Sequence, residues 1–216
     1  MSADTRVLIV DDDEFTRLLL VRALASFGYD DCRSCHGASS ALETAAAYLP
    51  HVAILDLDLG PGPTGIDLAH ALRRKQPDIA VIILTSFEDP RLLGGPASLP
   101  VGSVYLTKRA VGSEEVLPRA METVLRSPCA DANSRVSKGL STPLALSDNQ
   151  VDIMRLVAEG HSNAEIGRRL HLTERGVAKA VSRLVRQLGI EAGTDGNVRV
   201  LITQAFFQYS GQAGRR

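Results

Sequence analysis

The sequence predicts an α/β domain built on a doubly wound, five-stranded parallel sheet, followed by a small all-helical domain. Three observations carry this prediction. Apolar runs of buried-strand type recur at Thr5–Val10, Val52–Leu55, Ile79–Leu84 and Gly102–Thr107, and segments of helical periodicity separate them. Each run ends in a polar or charged residue, as strands do at the rim of an open parallel sheet. Beyond residue 143 the strand runs cease, and helix-capping residues punctuate apolar stripes of helical spacing.

Taken in order, the first run leads into Asp11-Asp12-Asp13 and then into a helix over Phe15–Phe27. Its apolar residues Phe15, Leu18, Leu19 and Leu24 stand at helical spacing, and Gly28 ends it. A second strand is expected around Cys32-Arg-Ser-Cys35-His36. Those five residues also spell the haem-attachment signature. On a strand, residues three apart point to opposite faces, so the two thiols could not reach one porphyrin edge, and the default is chance spelling on a sheet. Ala38–Leu49 is Ala-rich, helical, and stopped by Pro50.

The run Val52–Leu55 ends in Asp56, then in the Gly/Pro-rich turn Leu57–Gly65. Ile66–Lys75 forms a third helix, stopped by Pro77, and Ile79–Leu84 ends in Thr85-Ser86. The alternation breaks at Asp89–Pro100, where three prolines and two glycines permit one or two helical turns at most. Gly102–Thr107 ends in Lys108, and Glu114–Leu125 supplies the last helix, with Pro118 tolerated in its first turn.

An Asp after an apolar run is commonly a solvated loop residue or a helix cap. Four strand ends carrying acids, hydroxyls and an ammonium form a pattern that this reading does not explain. Neighbouring parallel strands would bring Asp11, Asp12 and Asp56 into one crevice, where three carboxylates repel unless a cation joins them. An all-oxygen site of that kind suits Mg²⁺. Thr85 can hydrogen-bond a phosphoryl oxygen and Lys108 can pair with one, so the constellation points to phosphoryl transfer with Asp56 as acceptor.

Asp11-Asp12, Asp56, Thr85, Tyr105 and Lys108, in that order, resemble the receiver domain of bacterial two-component response regulators, with a flavodoxin-like fold, over about residues 5–125. The resemblance implies that Asp56 accepts phosphate from a histidine kinase. It also implies that Asp12 ligates Mg²⁺ directly, with Asp11 nearby through water and the backbone carbonyl of Asp58 completing the protein's share. Thr85 would follow the phosphoryl group, Tyr105 would switch rotamer, and Lys108 would pair with the phosphate. Because the family's fourth helix falls on the Pro/Gly-rich stretch, its usual switching and dimerisation face is in question here; a loop deletion without consequence is the alternative. Asp56-Leu-Asp58 also resembles the nucleophile and acid of haloacid dehalogenase-like phosphatases. Those enzymes place their metal-binding acids after the Lys, whereas Asp11–Asp13 precede everything, so chain order favours the receiver.

From Ser127 to Pro143 the chain is rich in Ser, Pro, Asp and Asn without periodicity, which reads as a linker between a domain over 1–126 and another over 143–216. Ser147-Asp-Asn-Gln150 and Ser162-Asn-Ala-Glu165 are capping-box patterns, and Gly160 separates their helices. Thr173 caps a third helix, Glu174–Leu188. On it Val177, Val181, Leu184 and Leu188 share one side, with Arg175, Lys179, Arg183 and Arg186 opposite. Such a basic row is often only a solvated face. Here two helices joined by the short turn His171-Leu-Thr173 fit a helix-turn-helix that would place the row in a DNA major groove.

The stretch Leu146–Ile190, with Ala158-Glu-Gly-His-Ser-Asn163, Glu165-Ile166 and Val181-Ser-Arg-Leu184, resembles the LuxR-type DNA-binding domain of NarL/FixJ response regulators. The resemblance implies a DNA-binding transcription regulator, not an enzyme, that acts as a homodimer on DNA. Gly176, Ala178 and Ala180 stand where the family commonly has Thr, Lys and His, so contacts on that helix are fewer and Lys179, Arg183 and Arg186 carry the expectation. These departures, with the broken fourth helix, leave a phosphate-independent interaction module as the alternative. The last helix, Val198–Tyr209, is apolar around much of its circumference and needs a partner surface.

Charge follows the same division, with 12 basic and 17 acidic residues over 1–126 but 10 and 7 over 143–216. An acidic first part suits a metal and phosphoryl site, and a basic second part suits nucleic acid. No apolar stretch nears the roughly 20 residues of a membrane span, and Met-Ser-Ala-Asp-Thr-Arg lacks the layout of a signal peptide. A cytoplasmic location with unbridged cysteines is expected.

Overall fold

The structure is a computed structural model that describes residues 4–87, 89–93, 99–112, 115–126, 146–190 and 197–210. It divides into two compact units. The first covers Met1–Thr85 and Ser98–Ser141; the second covers Thr142–Arg216 together with Ser86–Ala97. The expected linker over 127–142 lies outside the described residues.

In the first unit, β1 (Val7–Val10), β2 (Cys32–Cys35), β3 (Val52–Leu55), β4 (Ala80–Thr85) and β5 (Val104–Thr107) form one all-parallel sheet in the order β2-β1-β3-β4-β5. The buried runs β1, β3, β4 and β5 form its centre and one edge, while β2, with Arg33 and Ser34 exposed, forms the other. That division follows composition, because only strands covered on both faces need continuous apolar sequence.

Helices α1 (Glu14–Ser26), α2 (Ala38–Tyr48), α3 (Gly65–Lys75) and α4 (Val116–Arg126) complete the alternation. The core joins Val7, Ile9, Ile54, Ile82, Leu84 and Leu106 of the sheet to Leu20 and Leu24 of α1 and to Leu117, Met121 and Val124 of α4. Helix α4 begins at Val116, with Pro118 in its first turn as expected; Glu114 lies outside the described residues.

Two expectations need correction. On α1, Leu20 and Leu24 are buried, whereas Phe15, Leu18 and Leu19 of the apolar row are 68%, 56% and 51% exposed. Residues 18–21 are apolar without a break, so periodicity alone did not choose the face that meets the sheet. The pattern at Ser162 is not a reciprocal box either. The Ser162 hydroxyl accepts from the Glu165 amide at 3.2 Å, but the Glu165 carboxylate faces Arg168 and Arg169. At Ser147 the box is present, with the Ser147 amide donating to Gln150 Oε1 at 2.8 Å.

The Pro/Gly-rich stretch contains a single 3-10 turn, Pro90–Leu93, among its described residues, in line with its composition. Cys32 and Cys35 are free thiols on β2. Cys32 Sγ donates to the Tyr29 carbonyl and Cys35 Sγ to Thr44 Oγ1, so the two thiols have different partners.

The second unit holds α5 (Asp148–Ala158), α6 (Asn163–Leu170), α7 (Glu174–Gln187) and α8 (Val198–Tyr209). Its core includes Val151, Ile153, Met154, Ile166, Val177, Leu184 and Ile202. Gly160, at φ +87°, supplies the left-handed residue between α5 and α6. Among the described residues no helix is long and apolar enough to cross a membrane.

Candidate functional site

In-register pairing sets Val10 beside Leu55 and Leu55 beside Ile83, so β1, β3 and β4 reach one edge of the sheet together. The next residue on β1 is Asp11 and on β3 is Asp56. Their carboxylates are 1% and 6% exposed, that of Asp12 is exposed, and the ligand oxygens of all three lie within 4.8 Å of one another. Lys108, directly after β5, extends its ammonium between the two buried acids, with Nζ 2.7 Å from Asp11 Oδ2 and 2.7 Å from Asp56 Oδ2. Its backbone amide donates to the Thr85 carbonyl at 2.7 Å, tying the ends of β4 and β5 at this rim.

Asp13, third in the acidic run, plays another part. It caps α1, accepting from the Phe15 and Thr16 amides and from Thr16 Oγ1 at 2.6 Å; the Thr16 hydrogen bond holds its carboxyl below the ordinary range. Thr85 is fully buried at the end of β4, and Tyr105, paired with Ile83, is buried on β5. Asp58 lies two residues beyond Asp56, where its amide approaches Asp56 Oδ1 at 3.4 Å.

Burial pushes the Asp56 carboxyl up to about 6, even though the Lys108 ammonium pulls the other way. Burial raises Asp11 for the same reason. For Lys108 burial acts downward, but the Asp56 and Asp11 carboxylates outweigh it and keep the ammonium above its ordinary value. One ammonium among three carboxylates leaves the pocket with a negative excess. An oxygen-only donor set with that excess fits a hard divalent cation such as Mg²⁺.

A residue the sequence reading passed over shapes this pocket. A Cβ on Gly65, the first residue of α3, would stand 1.9 Å from the Asp56 carbonyl oxygen and 2.8 Å from its carbon. Only glycine lets α3 start against the backbone that carries Asp56. The sequence signal was the glycine that follows the cap residue Thr64, whose hydroxyl forms a capping box with Asp67.

In the second unit, α6, the turn at His171–Thr173 and α7 form the helix-turn-helix. His171 takes the left-handed conformation that ends α6. Gly167 permits the tight turn, since a Cβ there would stand 2.6 Å from the Leu172 carbonyl oxygen. On α7, Val177, Leu184 and Val185 are buried and Val181 and Leu188 are half-buried, whereas Arg175, Lys179, Arg183 and Arg186 are all exposed on the outer side. The structure thus gathers Asp11, Asp12, Asp56 and Lys108 into one pocket and the four basic residues onto one helix.

An acidic pocket at the carboxyl edge of a doubly wound sheet, on one chain with a helix-turn-helix, defines the class of two-part regulators that join a signalling module to a DNA reader. The family profile described as response regulator receiver domain matches residues 7–97, and that of bacterial regulatory proteins, luxR family, matches residues 144–195. The chain belongs to the response regulators that combine these two domains, and it is a DNA-binding transcriptional response regulator of a two-component system. This membership sets aside the phosphatase reading.

The DNA-binding transcriptional activator DevR/DosR of Mycobacterium tuberculosis is 34% identical over 205 residues, covering 89% of this chain and 92% of that protein. The transcriptional regulatory protein LiaR of Bacillus subtilis is 28% identical over 207 residues, covering 89% and 95%. Among solved structures, RcsB from Salmonella enterica serovar Typhimurium, bound to promoter rprA with a phosphomimetic, matches with a TM-score of 0.54 at 19% identity, over 94% of this chain and 98% of that one. The last likeness is one of fold.

Proposed function

We propose that Asp56 is the phosphoacceptor of this regulator, and that phosphorylation there sets its affinity for DNA. The observation that carries the reading is the ammonium of Lys108 shared at 2.7 Å between the buried Asp11 and Asp56 carboxylates, with Asp12 beside them. A nucleophilic carboxylate, a cation to meet incoming phosphoryl oxygens and two further acids make a phosphoryl-transfer site. In the transfer an Asp56 carboxylate oxygen forms a bond to phosphorus as the phosphorus–nitrogen bond of a kinase phosphohistidine breaks, and the freed imidazole nitrogen takes a proton from solvent.

Lys108 then exchanges its hold on the Asp56 carboxylate for the phosphoryl oxygens. Thr85, at the adjoining strand end, offers a hydroxyl to the same group, and Tyr105 on β5 is the residue whose side chain adjusts with it. Asp11, Asp12, Asp56 and the Asp58 backbone carbonyl would hold Mg²⁺, whose charge there neutralises the acids and the incoming phosphoryl group. The partners are a sensor histidine kinase and double-stranded DNA, and the setting is the cytoplasm.

Arg175, Lys179, Arg183 and Arg186 form the DNA contact row of α7. The division into a receiver over 1–126, a linker over 127–142 and a reader over 143–216 belongs to the same proposal. So does pairing of two copies on DNA through α8, where Val200 is 50% and Phe207 39% exposed.

Asp56→Asn keeps the shape of the side chain and removes the nucleophilic carboxylate. Incubated with acetyl phosphate and Mg²⁺, the variant is expected to take up no phosphate while its circular dichroism spectrum stays that of the parent. Retained incorporation would refute the assignment.

A further inference from the structure

The residues that follow β4 do not fold with the sheet. Ser86–Ala97 groups with the helical unit, and its 3-10 turn at Pro90–Leu93 packs on α5. Asp89 and Leu92 are buried there, at 0% and 1% exposed, and Phe87 at 4%. Arg91 makes the attachment. One edge of its guanidinium grips Asp89, with Nε 3.0 and 3.1 Å from the two carboxylate oxygens and Nη2 2.6 Å from Oδ2. The other edge reaches the start of α5, where Nη1 donates to the Leu146 carbonyl at 3.0 Å and to Asp148 Oδ1 at 2.8 Å.

The two edges differ in strength for a physical reason. Asp89 is fully buried and paired in a fork, which is the strong geometry for a guanidinium and a carboxylate. Asp148 is 86% exposed, so water screens that pair, and the same nitrogen also donates to the Leu146 carbonyl. The segment therefore has a firm grip on itself and a releasable grip on α5.

The turn it holds is also the turn that borders the reader. Ser147, Asn149 and Gln150 line a cleft of about 330 Å³ together with Leu172, Gly176, Ala180 and Arg183 of the turn and α7. Gln150 further bonds Gln187 of α7 at 2.6 Å. In sequence, the segment begins at Ser86, directly after Thr85.

We propose that Ser86–Leu93 is a strap that couples the acidic pocket to the DNA reader, with Arg91 as the coupling residue through its hold on Leu146 and Asp148. This rests on the proposed role of Asp56. Thr85, in following the phosphoryl group, shifts the residue to which the strap is joined, and the Arg91 contacts carry that shift to the first turn of α5. The strap takes the place of a fourth receiver helix, which the composition of this stretch does not allow.

The test uses the full-length chain as wild type, Arg91→Lys and Asp148→Asn, each with and without acetyl phosphate and Mg²⁺. The DNA is a duplex selected from a random pool by the wild type. Lys retains a cation against buried Asp89 but has no fork with which to span to α5. Asp148→Asn leaves the buried pair intact. Phosphate uptake at Asp56 is expected to match the wild type in both variants, and the thermal midpoint to match it in Asp148→Asn.

The ratio of phosphorylated to unphosphorylated DNA affinity, on the order of tenfold in the wild type for a coupling of ordinary size, is expected to fall to within about twofold in Arg91→Lys and to an intermediate value in Asp148→Asn. Amide exchange in the first turn of α5 should respond to phosphorylation in the wild type and not in Arg91→Lys. A wild type that takes up phosphate and switches, beside an Arg91→Lys that switches equally, overturns the strap alone. A wild type that takes up no phosphate overturns the Asp56 reading, and the strap with it.

Discussion

At Asp56 a carboxylate sits 6% exposed in an acidic pocket, and that burial shifts its protonation. With the carboxyl pushed up to about 6 from its ordinary value of 3.8, the folded protein holds a proton that the unfolded chain releases between those two pH values. This site therefore weakens folding as pH rises through that window, the reverse of a salt-bridged surface acid. A carbon-detected NMR titration of metal-free protein should place the Asp56 midpoint near 6. Addition of Mg²⁺ should move it downward, because a cation favours the carboxylate. A midpoint near 4 in both conditions would show that the pocket is more solvated than its geometry implies.

The residues of the pocket were legible one by one in the sequence, since each closes an apolar run. Their division of labour was not. Asp11, Asp12 and Asp13 are alike in the sequence, yet Asp11 faces Lys108, Asp12 is exposed, and Asp13 turns back to cap α1. Successive residues leaving a strand point in different directions, and the start of α1 decides which acid is spent on its amides.

Among the elements, α3 is the one most tightly set by the site it serves. Gly65→Ala forces a methyl onto the Asp56 carbonyl, where backbone on both sides has little room to give. A loss of about 1–3 kcal/mol in urea unfolding is expected from such overpacking, along with slower phosphate uptake as Asp56 is displaced. An unchanged unfolding midpoint would mean that α3 can back away. The contrast with α1 is instructive. Its run Leu18–Val21 leaves several faces apolar, and only contact with the sheet selects Leu20 and Leu24 for burial. The Pro/Gly-rich stretch was legible in the opposite sense: three prolines announced that no regular helix would form, and one 3-10 turn is what the described residues contain. That this turn folds with α5 left no trace in periodicity, because it depends on one arginine reaching a residue 57 positions away.

At the scale of the whole molecule, charge divides between an acidic pocket and a basic helix. Arg183→Ala and Lys179→Ala alter only exposed positions of α7, so stability should hold while DNA affinity falls. If both side chains meet phosphates, each removal should reduce the slope of log affinity against log salt by about 1. An equal slope in a filter-binding salt series would remove these two residues from the interface. Gly176 and Ala180, where the family commonly carries larger residues, instead line the cleft beside α5.

The sequence by itself determined the alternation of strand and helix, the two-part organisation and which polar residues stand at the strand ends, because burial demands apolar runs and strand ends demand polar ones. Only the tertiary structure decided the rest: that Lys108 is shared between Asp11 and Asp56, that Gly65 must lack a side chain, and that Arg91 binds α5. Each of these depends on distances between residues remote in the chain. Such distances follow from the register of the sheet and the packing of helices, which no local pattern of residues encodes.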